Sequence, residues 1–420
     1  MNLTPWSPPQ ARVYYGWLVM LVAALAMVGT LPGRTQGLGL ITEPLLADLR
    51  IDRVSYATLN LWATLIGSAG AIGVGRLIDR FGSRVVLTAI ALALGVVVSA
   101  MSGVGSLAML AVTVTLTRAL GQSALSVVSL AMVGQWFSRR IDAAMASYSI
   151  VMSIGFMIAF PIMGSLIQSI GWRGAWLRLG LALVVVLAPA AALMVRRHPE
   201  SCGLAIDGDA ARIMPVRGDG NLGGYTWRDA VRFPVFWLFA GGAALYGLVA
   251  SGIGLFNESI LAERGFGADV YYQTLVVTAM TALAGNFLGG WLARFVRLTT
   301  LLGASLAILS IGLVLLPEVE TIAAVMVWAT AMGLGGGLVM VLFFSVWPRV
   351  FGRRHLGRVQ GLAQTMTVLA SAIGPVLLAW CVDRTGSYAA MFRILAAVIG
   401  ATALASWMAR LPPPYDGVRS

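Results

Sequence analysis

The fold of this chain is decided by the stretch Gly75-Arg76-Leu77-Ile78-Asp79-Arg80-Phe81-Gly82-Ser83-Arg84. It is a short, charged, glycine-bearing turn between two apolar runs, each long enough to cross a bilayer at about 20 residues per crossing. A reduced copy lies 214 positions later, in Gly289-Gly290-Trp291-Leu292-Ala293-Arg294-Phe295, where alanine stands at the place of Asp79. The sequence therefore predicts two unequal copies of one membrane unit.

The composition excludes a soluble globular protein. Of the 420 residues, 59% are hydrophobic and 11% are charged, whereas about a quarter of the residues of a soluble domain are charged. All 29 basic residues are arginines, against 17 acidic residues. The membrane topology given below explains this excess of positive charge. We therefore expect an integral protein of the lipid bilayer with no nucleic-acid partner.

Twelve membrane spans are predicted from the apolar runs between charge clusters. With the amino terminus inside, twenty arginines are cytoplasmic and seven are outside, while Arg34 and Arg118 fall within spans. The positive-inside rule therefore predicts a multi-pass protein of the plasma (inner) membrane with both termini cytoplasmic. The spans lie at roughly 14–42, 54–78, 84–104, 106–137, 143–168, 174–195, 234–258, 269–293, 298–317, 320–348, 358–382 and 388–409.

The longest polar segment separates six spans from six. The predicted organisation is a first half at 1–195, a cytoplasmic linker at 196–233 and a second half at 234–420. Within the linker, residues 225–232 are expected to form a short interfacial helix that Thr226 caps.

The duplication continues through the halves at a near-constant offset. Gly37–Glu43 matches Gly252–Glu258 at offset 215, Phe137 matches Phe351 at 214, and Arg178 matches Arg393 at 215. Parallel repeats of six helices, related by an axis along the membrane normal, are a transporter architecture. The predicted fold is all-α, with twelve transmembrane helices in two pseudo-symmetric six-helix bundles.

These motifs resemble the major facilitator superfamily. Gly75-x-x-x-Asp79-Arg80-x-Gly82-x-Arg84 is similar to its motif between helices two and three, and Arg118-x-x-Gly121 is similar to its intramembrane arginine motif. Tyr15-Gly16-Trp17 and Trp136-Phe137-Ser138-Arg139-Arg140 resemble monocarboxylate transporters and oxalate/formate exchangers. In that group a span-one cation binds carboxylate, within about one position of Arg34, but spans eight and eleven here contain none of the group's other cations.

Arg34 and Arg118 are the central candidates for substrate binding, because an arginine in a span costs about 2.5–3.5 kcal/mol and usually faces a cavity or a partner. One interpretation of Arg34 is that it binds a substrate anion. The alternative is that Pro32, Gly33 and Gly37 unwind the outer part of the span, so that Arg34 reaches the lipid headgroups or forms an ion pair with Glu43. Arg118 either lines the cavity or bonds to backbone carbonyls or Gln122. Their repeat counterparts are Val249 and Met332.

Uncharged polar side chains complete the predicted substrate site. The predicted residues are Gln36, Tyr246, Gln273 and Gln364. Glu43 and Glu258 are expected to be exposed carboxylates at helix ends, and no other carboxylate falls inside a span, which leaves exchange or facilitated diffusion open. The glycine run at 333–337 is expected to allow close helix packing.

The opening turn is predicted to gate the cytoplasmic side. Asp79 can lie near the amino terminus of span eleven, where the helix dipole is positive and favours an anion. The neighbouring charged side chains can exchange ion pairs across the same surface. The predicted gating residues are Gly75, Asp79, Arg80, Gly82, Arg84 and Asp142.

The sequence therefore predicts a transporter that moves a small organic anion, such as a monocarboxylate, by alternating access. It is expected to act as a monomer and, in the exchange case, as an antiporter. Efflux of hydrophobic compounds or drugs, and a receptor or sensor that transports nothing, are the alternatives. No enzyme, cofactor or metal site is expected, since no nucleophile, base and metal-ligand set occurs together.

Overall fold

A computed structural model of the chain describes residues 14–69, 74, 77–78, 80–137, 140–197, 199–202, 204, 225–351 and 356–411. Throughout these ranges the regular structure is helical. Helices suit a chain in lipid because they satisfy every interior backbone hydrogen bond within one segment. The all-α prediction is confirmed. Gly75 and Asp79, the side chain of Asp142, and most of the linker lie outside the described residues.

The first-half helices begin with α1 (Gly16–Val28), α2 (Thr35–Gly39), α3 (Thr42–Leu49), α4 (Arg53–Ala69) and α5 (Ser83–Met101). A π-helical stretch, Arg118–Leu125, joins α6 (Leu107–Thr117) to α7 (Ser126–Trp136). A second, Leu183–Leu187, joins α8 (Ile141–Ala182) to α9 (Ala188–Met194). The second-half helices are α10 (Trp227–Ala230), α11 (Pro234–Ala262), α12 (Ala268–Leu292), α13 (Leu298–Leu315), α14 (Ile322–Val350), α15 (Leu356–Thr385) and α16 (Ala389–Met408).

Ten stretches of the described chain are long and apolar enough to cross a membrane. One of them, Ala143–Met194, has 52 residues, and Gly171 interrupts it with φ 74° and ψ 165°. It therefore accounts for the fifth and sixth predicted spans. The second predicted span begins with α4.

Local chemistry sets several helix starts. Ser106 and Thr321 cap α6 and α14 by accepting from backbone N–H groups three residues on. Asp52 accepts from the Ser55 N–H at 2.8 Å before α4, and hydrogen bonds from the Ser55 side chain and backbone lower the pKa of its carboxyl group. Of the helix predicted at 225–232, the structure shows one turn, α10, which Thr226 caps as predicted by accepting from the Asp229 N–H.

The chain forms two compact units, one of residues 1–51 and 62–214 and one of 52–61 and 215–420. In the first unit α1 packs on α7 and α8, and α5 packs on α8 and α9. In the second unit α12 packs on α14, α11 on α15, and α13 on α16. Each unit thus has its own helix-packed core.

Candidate functional site

The first predicted span is broken where Arg34 lies. After α1 a 3₁₀ turn covers Leu31–Gly33, and Arg34 then adopts an extended conformation with φ −88° and ψ 153° before α2 begins. A Cβ on Gly37 would overlap the Leu31 carbonyl group, so the folded-back chain requires glycine there. The predicted unwinding is confirmed, and it replaces one continuous span with two helical pieces.

The Arg34 guanidinium is held by neutral groups of its own unit. Its Nε donates to the Thr30 hydroxyl at 2.7 Å and its Nη2 to the Met27 sulfur at 2.8 Å. Its Cζ lies 5.2 Å from the centre of the Phe156 ring on α8, within cation–π distance. The partners found for Arg34 are neutral groups, and the alternative of an ion pair with Glu43 stays a prediction.

Arg118 is buried, with 2% of its surface exposed. Its Nη1 donates to the Thr35 hydroxyl at 2.8 Å and to the Gln122 amide oxygen at 2.7 Å. It begins the π-helical stretch, and this stretch touches the broken segment directly, since a Cβ on Gly121 would lie 3.2 Å from the Gly33 Cα. The Gln122 bond that the scaffold interpretation predicted is present, together with a bond across to the first span.

The break therefore brings the two predicted arginines to one segment. Arg34 is part of it, and Arg118 bonds to Thr35, the next residue. Gln36 follows in α2 and is half-buried. Arg34 thus belongs to the broken segment, and the Arg118 guanidinium is hydrogen-bonded to it.

The predicted residues of the second unit have different surroundings. Tyr246 is half-buried in α11, and its ring occupies the space where a Cβ on Gly336 of α14 would be. Gln273 and Gln364 are exposed on α12 and α15. The repeat counterparts of the arginines, Val249 and Met332, are buried at 2% and 7% exposure.

The two helix-end carboxylates are not the exposed groups that were predicted. Glu43 and Glu258 are both half-buried, and each has one carboxylate oxygen shielded from solvent. Glu258 lies just beyond a kink in α11 at Phe256, which has φ −114° and ψ 16°.

The described part of the opening turn contacts the end of α9 within the same unit. Gly82 has φ 83°, and a Cβ there would lie 2.8 Å from Cγ of Arg197. The Ser83 hydroxyl is 3.4 Å from the carbonyl oxygens of Arg196 and Arg197. Arg80 stacks on Phe81, and Arg84 is exposed. Gly82 therefore has a conformational reason to be glycine.

The two subfamily motifs form one aromatic cluster. Tyr15 and Trp136 have ring centres 5.6 Å apart, and Trp17 and Phe137 have centres 5.0 Å apart. The Tyr14 hydroxyl donates to the Trp136 carbonyl at 3.1 Å. In the second unit the counterpart of Phe137, Phe351, also lies among aromatic rings.

A polar clasp in each unit was missed from the sequence. In the first, the Asp48 carboxylate accepts from Trp172 Nε1 at 3.0 Å and Arg173 Nε at 2.8 Å. In the second, Glu263 accepts from the Ser387 hydroxyl at 2.6 Å and the Tyr388 N–H at 3.2 Å. Asp48 and Glu263 are 215 positions apart, as are Gly171 and Gly386, which precede the donors with positive φ. The repeat offset was the signal that would have found them.

The paired units, the repeated clasps and the cationic break define a class, that of secondary transporters built from parallel repeats. A family model described as Major Facilitator Superfamily matches residues 17–327 and 242–420. The chain therefore belongs to the Major Facilitator Superfamily. It is a multi-pass membrane transporter of a small-molecule substrate, and its relatives named monocarboxylate transporters are transporters, not enzymes.

Similar proteins cover almost the whole chain. Monocarboxylate transporter 11 of Mus musculus is 28% identical over 414 residues, which are 95% of this chain and 88% of that protein. The Homo sapiens protein of the same name is 27% identical over 95% of this chain and 83% of its own length. An uncharacterized 38 kDa protein of Thermoproteus tenax is 24% identical over 94% and 95% of the two chains.

A solved structure shares the fold. A bacterial homologue of the human lysosomal transporter Spinster, in an inward-facing and unoccupied conformation, superposes with a TM-score of 0.70. The match covers 95% of this chain and 96% of that one at 15% sequence identity. The likeness at this identity concerns the fold alone and confirms the predicted architecture.

Proposed function

We propose that the chain transports a small organic anion of the monocarboxylate type by alternating access, with the carboxylate group bound at Arg34 and Arg118. The observation that carries the proposal is the convergence of both guanidinium groups on the broken segment of the first span. The relatives named monocarboxylate transporters support the same substrate class.

The contacts of Arg34 leave room for a carboxylate. A guanidinium has five N–H donors, and the described residues accept from Nε and Nη2 only. The remaining donors can bind a carboxylate by charge-assisted hydrogen bonds, which are stronger than neutral ones. An anion would also offset the cost of keeping two positive charges at membrane depth.

The apolar neighbours of Arg34 favour a small alkyl chain on the substrate. Phe156 and Met27 lie against the guanidinium, so a carboxylate held there would place its carbon chain near a ring and a thioether. An inorganic anion would gain nothing from these groups. We therefore prefer a monocarboxylate to nitrate or phosphate.

Other residues belong to the proposal as supporting groups. Gln36, Tyr246, Gln273 and Gln364 would orient the substrate, while Gly75, Asp79, Arg80, Gly82, Arg84 and Asp142 would gate the cytoplasmic side. The proposed organisation is a half at 1–195, a linker at 196–233 and a half at 234–420, in a monomer of the plasma membrane with both termini cytoplasmic.

Uptake into proteoliposomes tests the proposal. Radiolabelled lactate, a dicarboxylate, nitrate and a lipophilic cation are compared with and without a pH gradient. Losing one charge-assisted hydrogen bond costs about 1.5–3 kcal/mol, so Arg34→Gln should raise the KM for lactate about 10- to 100-fold. Arg34→Lys should recover part of the lost affinity, because lysine keeps the positive charge but lacks the paired N–H donors of a guanidinium.

The matched control is Arg393→Gln, an exposed arginine paired with Glu318 at 3.0 Å, which should leave KM unchanged. If carboxylates neither move nor compete and Arg34→Gln has no effect, the anion proposal is wrong. Transport of the lipophilic cation alone would assign hydrophobic efflux, and binding without transport would assign a receptor.

A further inference from the structure

A second candidate site lies entirely within the second unit and is lined by neither Arg34 nor Arg118. It is an open groove of about 940 Å³ between α11, α15 and α16. Its walls are almost entirely apolar and include Trp237, Gly241, Leu245, Leu248, Ala370 and Ala405. Such a volume suits a ligand pocket, and an apolar lining suits a hydrocarbon chain.

The groove is long enough to cross the hydrocarbon part of one leaflet of a bilayer. It extends along α11 from Pro234 to Leu248, which at 1.5 Å per residue is about 21 Å. Half of the hydrocarbon core of a bilayer is about 15 Å. A groove that begins at the helix end therefore reaches the middle of the bilayer, as an acyl chain of one leaflet does.

Positive charge is concentrated at the end where α11 begins. Arg232 lines the groove and its side chain is 81% exposed. Arg410 directly follows Ala409, another lining residue. Asp229 lies 3.8 Å from Arg232, but it also accepts from the Thr226 hydroxyl at 2.6 Å. Two arginines against one engaged carboxylate leave this end positive.

Trp237 marks the same end as the membrane interface. Its indole N–H donates to the Val231 carbonyl at 2.8 Å, and the ring is 52% exposed. Tryptophan is enriched at headgroup depth, where the ring lies in apolar surroundings and the N–H finds a polar partner. The apolar part of the groove thus begins at this level.

We propose that this groove binds an anionic phospholipid from the leaflet on the arginine side, which is the cytoplasmic leaflet in the proposed topology. One acyl chain lies along Gly241 and Leu245, and the phosphate lies against Arg232 and Arg410. Basic pockets between membrane helices on the cytoplasmic side recognise anionic headgroups. The site is independent of the transported solute and of the two arginines of the first unit.

Quenching of Trp237 by brominated lipid tests the site. The full chain is placed in nanodiscs of phosphatidylcholine with a small fraction of phosphatidylglycerol, brominated on the acyl chain of either lipid in turn. Because the chain has 13 tryptophans, the Trp237 signal is taken as the difference from a Trp237→Phe variant. We expect brominated phosphatidylglycerol to quench this signal at lower mole fraction than brominated phosphatidylcholine does.

Two substitutions separate charge from shape. Arg232→Gln should lower the preference for phosphatidylglycerol about fivefold, the effect of one arginine near an anionic surface. Gly241→Leu should remove the Trp237-specific quenching, because a Cβ at Gly241 meets no atom within 4 Å and the new side chain would occupy the groove. Gly290→Leu, on α12 outside the groove and equally open at its Cβ, should retain it.

The proposal is wrong if both brominated lipids quench equally, or if Arg232→Gln leaves the preference unchanged. Equal loss of quenching in the Gly241 and Gly290 variants would indicate general damage and remove the support for a groove site. Displacement of the lipid by a lipophilic cation that the protein also transports would assign the groove to the transport path instead.

Discussion

The close crossing of α12 and α14 gives the sharpest test of the packing. Gly337 of α14 lies against α12, where an added Cβ would overlap the Ala282 carbonyl oxygen and lie 3.0 Å from the Asn286 nitrogen. Gly285 makes the reciprocal approach, since its Cβ would lie 2.6 Å from the Leu334 carbonyl oxygen. Both obstacles are backbone atoms, which cannot turn away as a side chain can. Gly337→Ala should therefore force the two helices apart.

Two opposing effects set the size of the change. Alanine gains about 0.8–1 kcal/mol over glycine in a helix interior, and overpacking costs about 1–3 kcal/mol. At Gly361 of α15 a Cβ meets no atom within 4 Å, so Gly361→Ala has the gain in helix stability without the cost of overpacking. The difference between the two variants isolates the steric cost, about 1–3 kcal/mol.

Thermal unfolding monitored with a thiol-reactive dye measures this difference. Cys202 and Cys381 are both buried, and in a Cys202→Ser background the dye reports on Cys381 of the second unit. With about 2–4 °C per kcal/mol for 150–250 residues, Gly337→Ala should unfold roughly 2–12 °C below Gly361→Ala. Equal unfolding temperatures would show that the crossing tolerates a methyl group and would refute the backbone-overlap argument.

Two further predictions concern polar contacts within each unit. Thr35→Val should lower the unfolding temperature, because it deprives buried Arg118 of a hydroxyl acceptor at a cost of about 1–3 kcal/mol. Thr115→Val is the control and should not lower it, because the Thr115 hydroxyl bonds within its own helix. Equal effects of the two substitutions would contradict the prediction. Asp48→Asn and Glu263→Gln should each cost no more than about 1 kcal/mol, because these clasps are partly exposed. Their effects should add in the double variant, as expected for separate sites, and non-additivity beyond about 0.5 kcal/mol in a dye-monitored melt would disprove their independence.

The fold could be predicted from the sequence because its strongest determinants are local. Apolar runs of about 20 residues and the arginine asymmetry define crossings and orientation without tertiary information. The break in the first span was also readable, since Pro32, Gly33 and Gly37 all oppose a continuous helix. The bend in α11 at Phe256 was not predicted, although Gly252 and Gly254 precede it and Gly252–Glu258 repeats Gly37–Glu43.

The candidate site was only half predictable for a related reason. Arg34 and Arg118 were found because charge is costly in a span, but their partners depend on which helices cross. Phe156 is 122 positions from Arg34, and Thr35 is 83 positions from Arg118. The prediction that Glu43 and Glu258 are exposed was wrong, because a carboxylate at the end of a span is fully exposed to water only if no other part of the protein covers it.

The distribution of features over the repeat separates scaffold from specificity. Some features are present in both units at one offset and hold each unit's own helices together. They are the clasps at Asp48 and Glu263 and the positive-φ glycines before their donors. The arginines do not follow the repeat, since Val249 and Met332 stand at their counterparts and are buried among apolar groups. A charge that served the helical scaffold would be needed twice in a duplicated fold, whereas a substrate carboxylate needs it once. The asymmetry therefore supports the proposal that Arg34 and Arg118 bind the substrate anion.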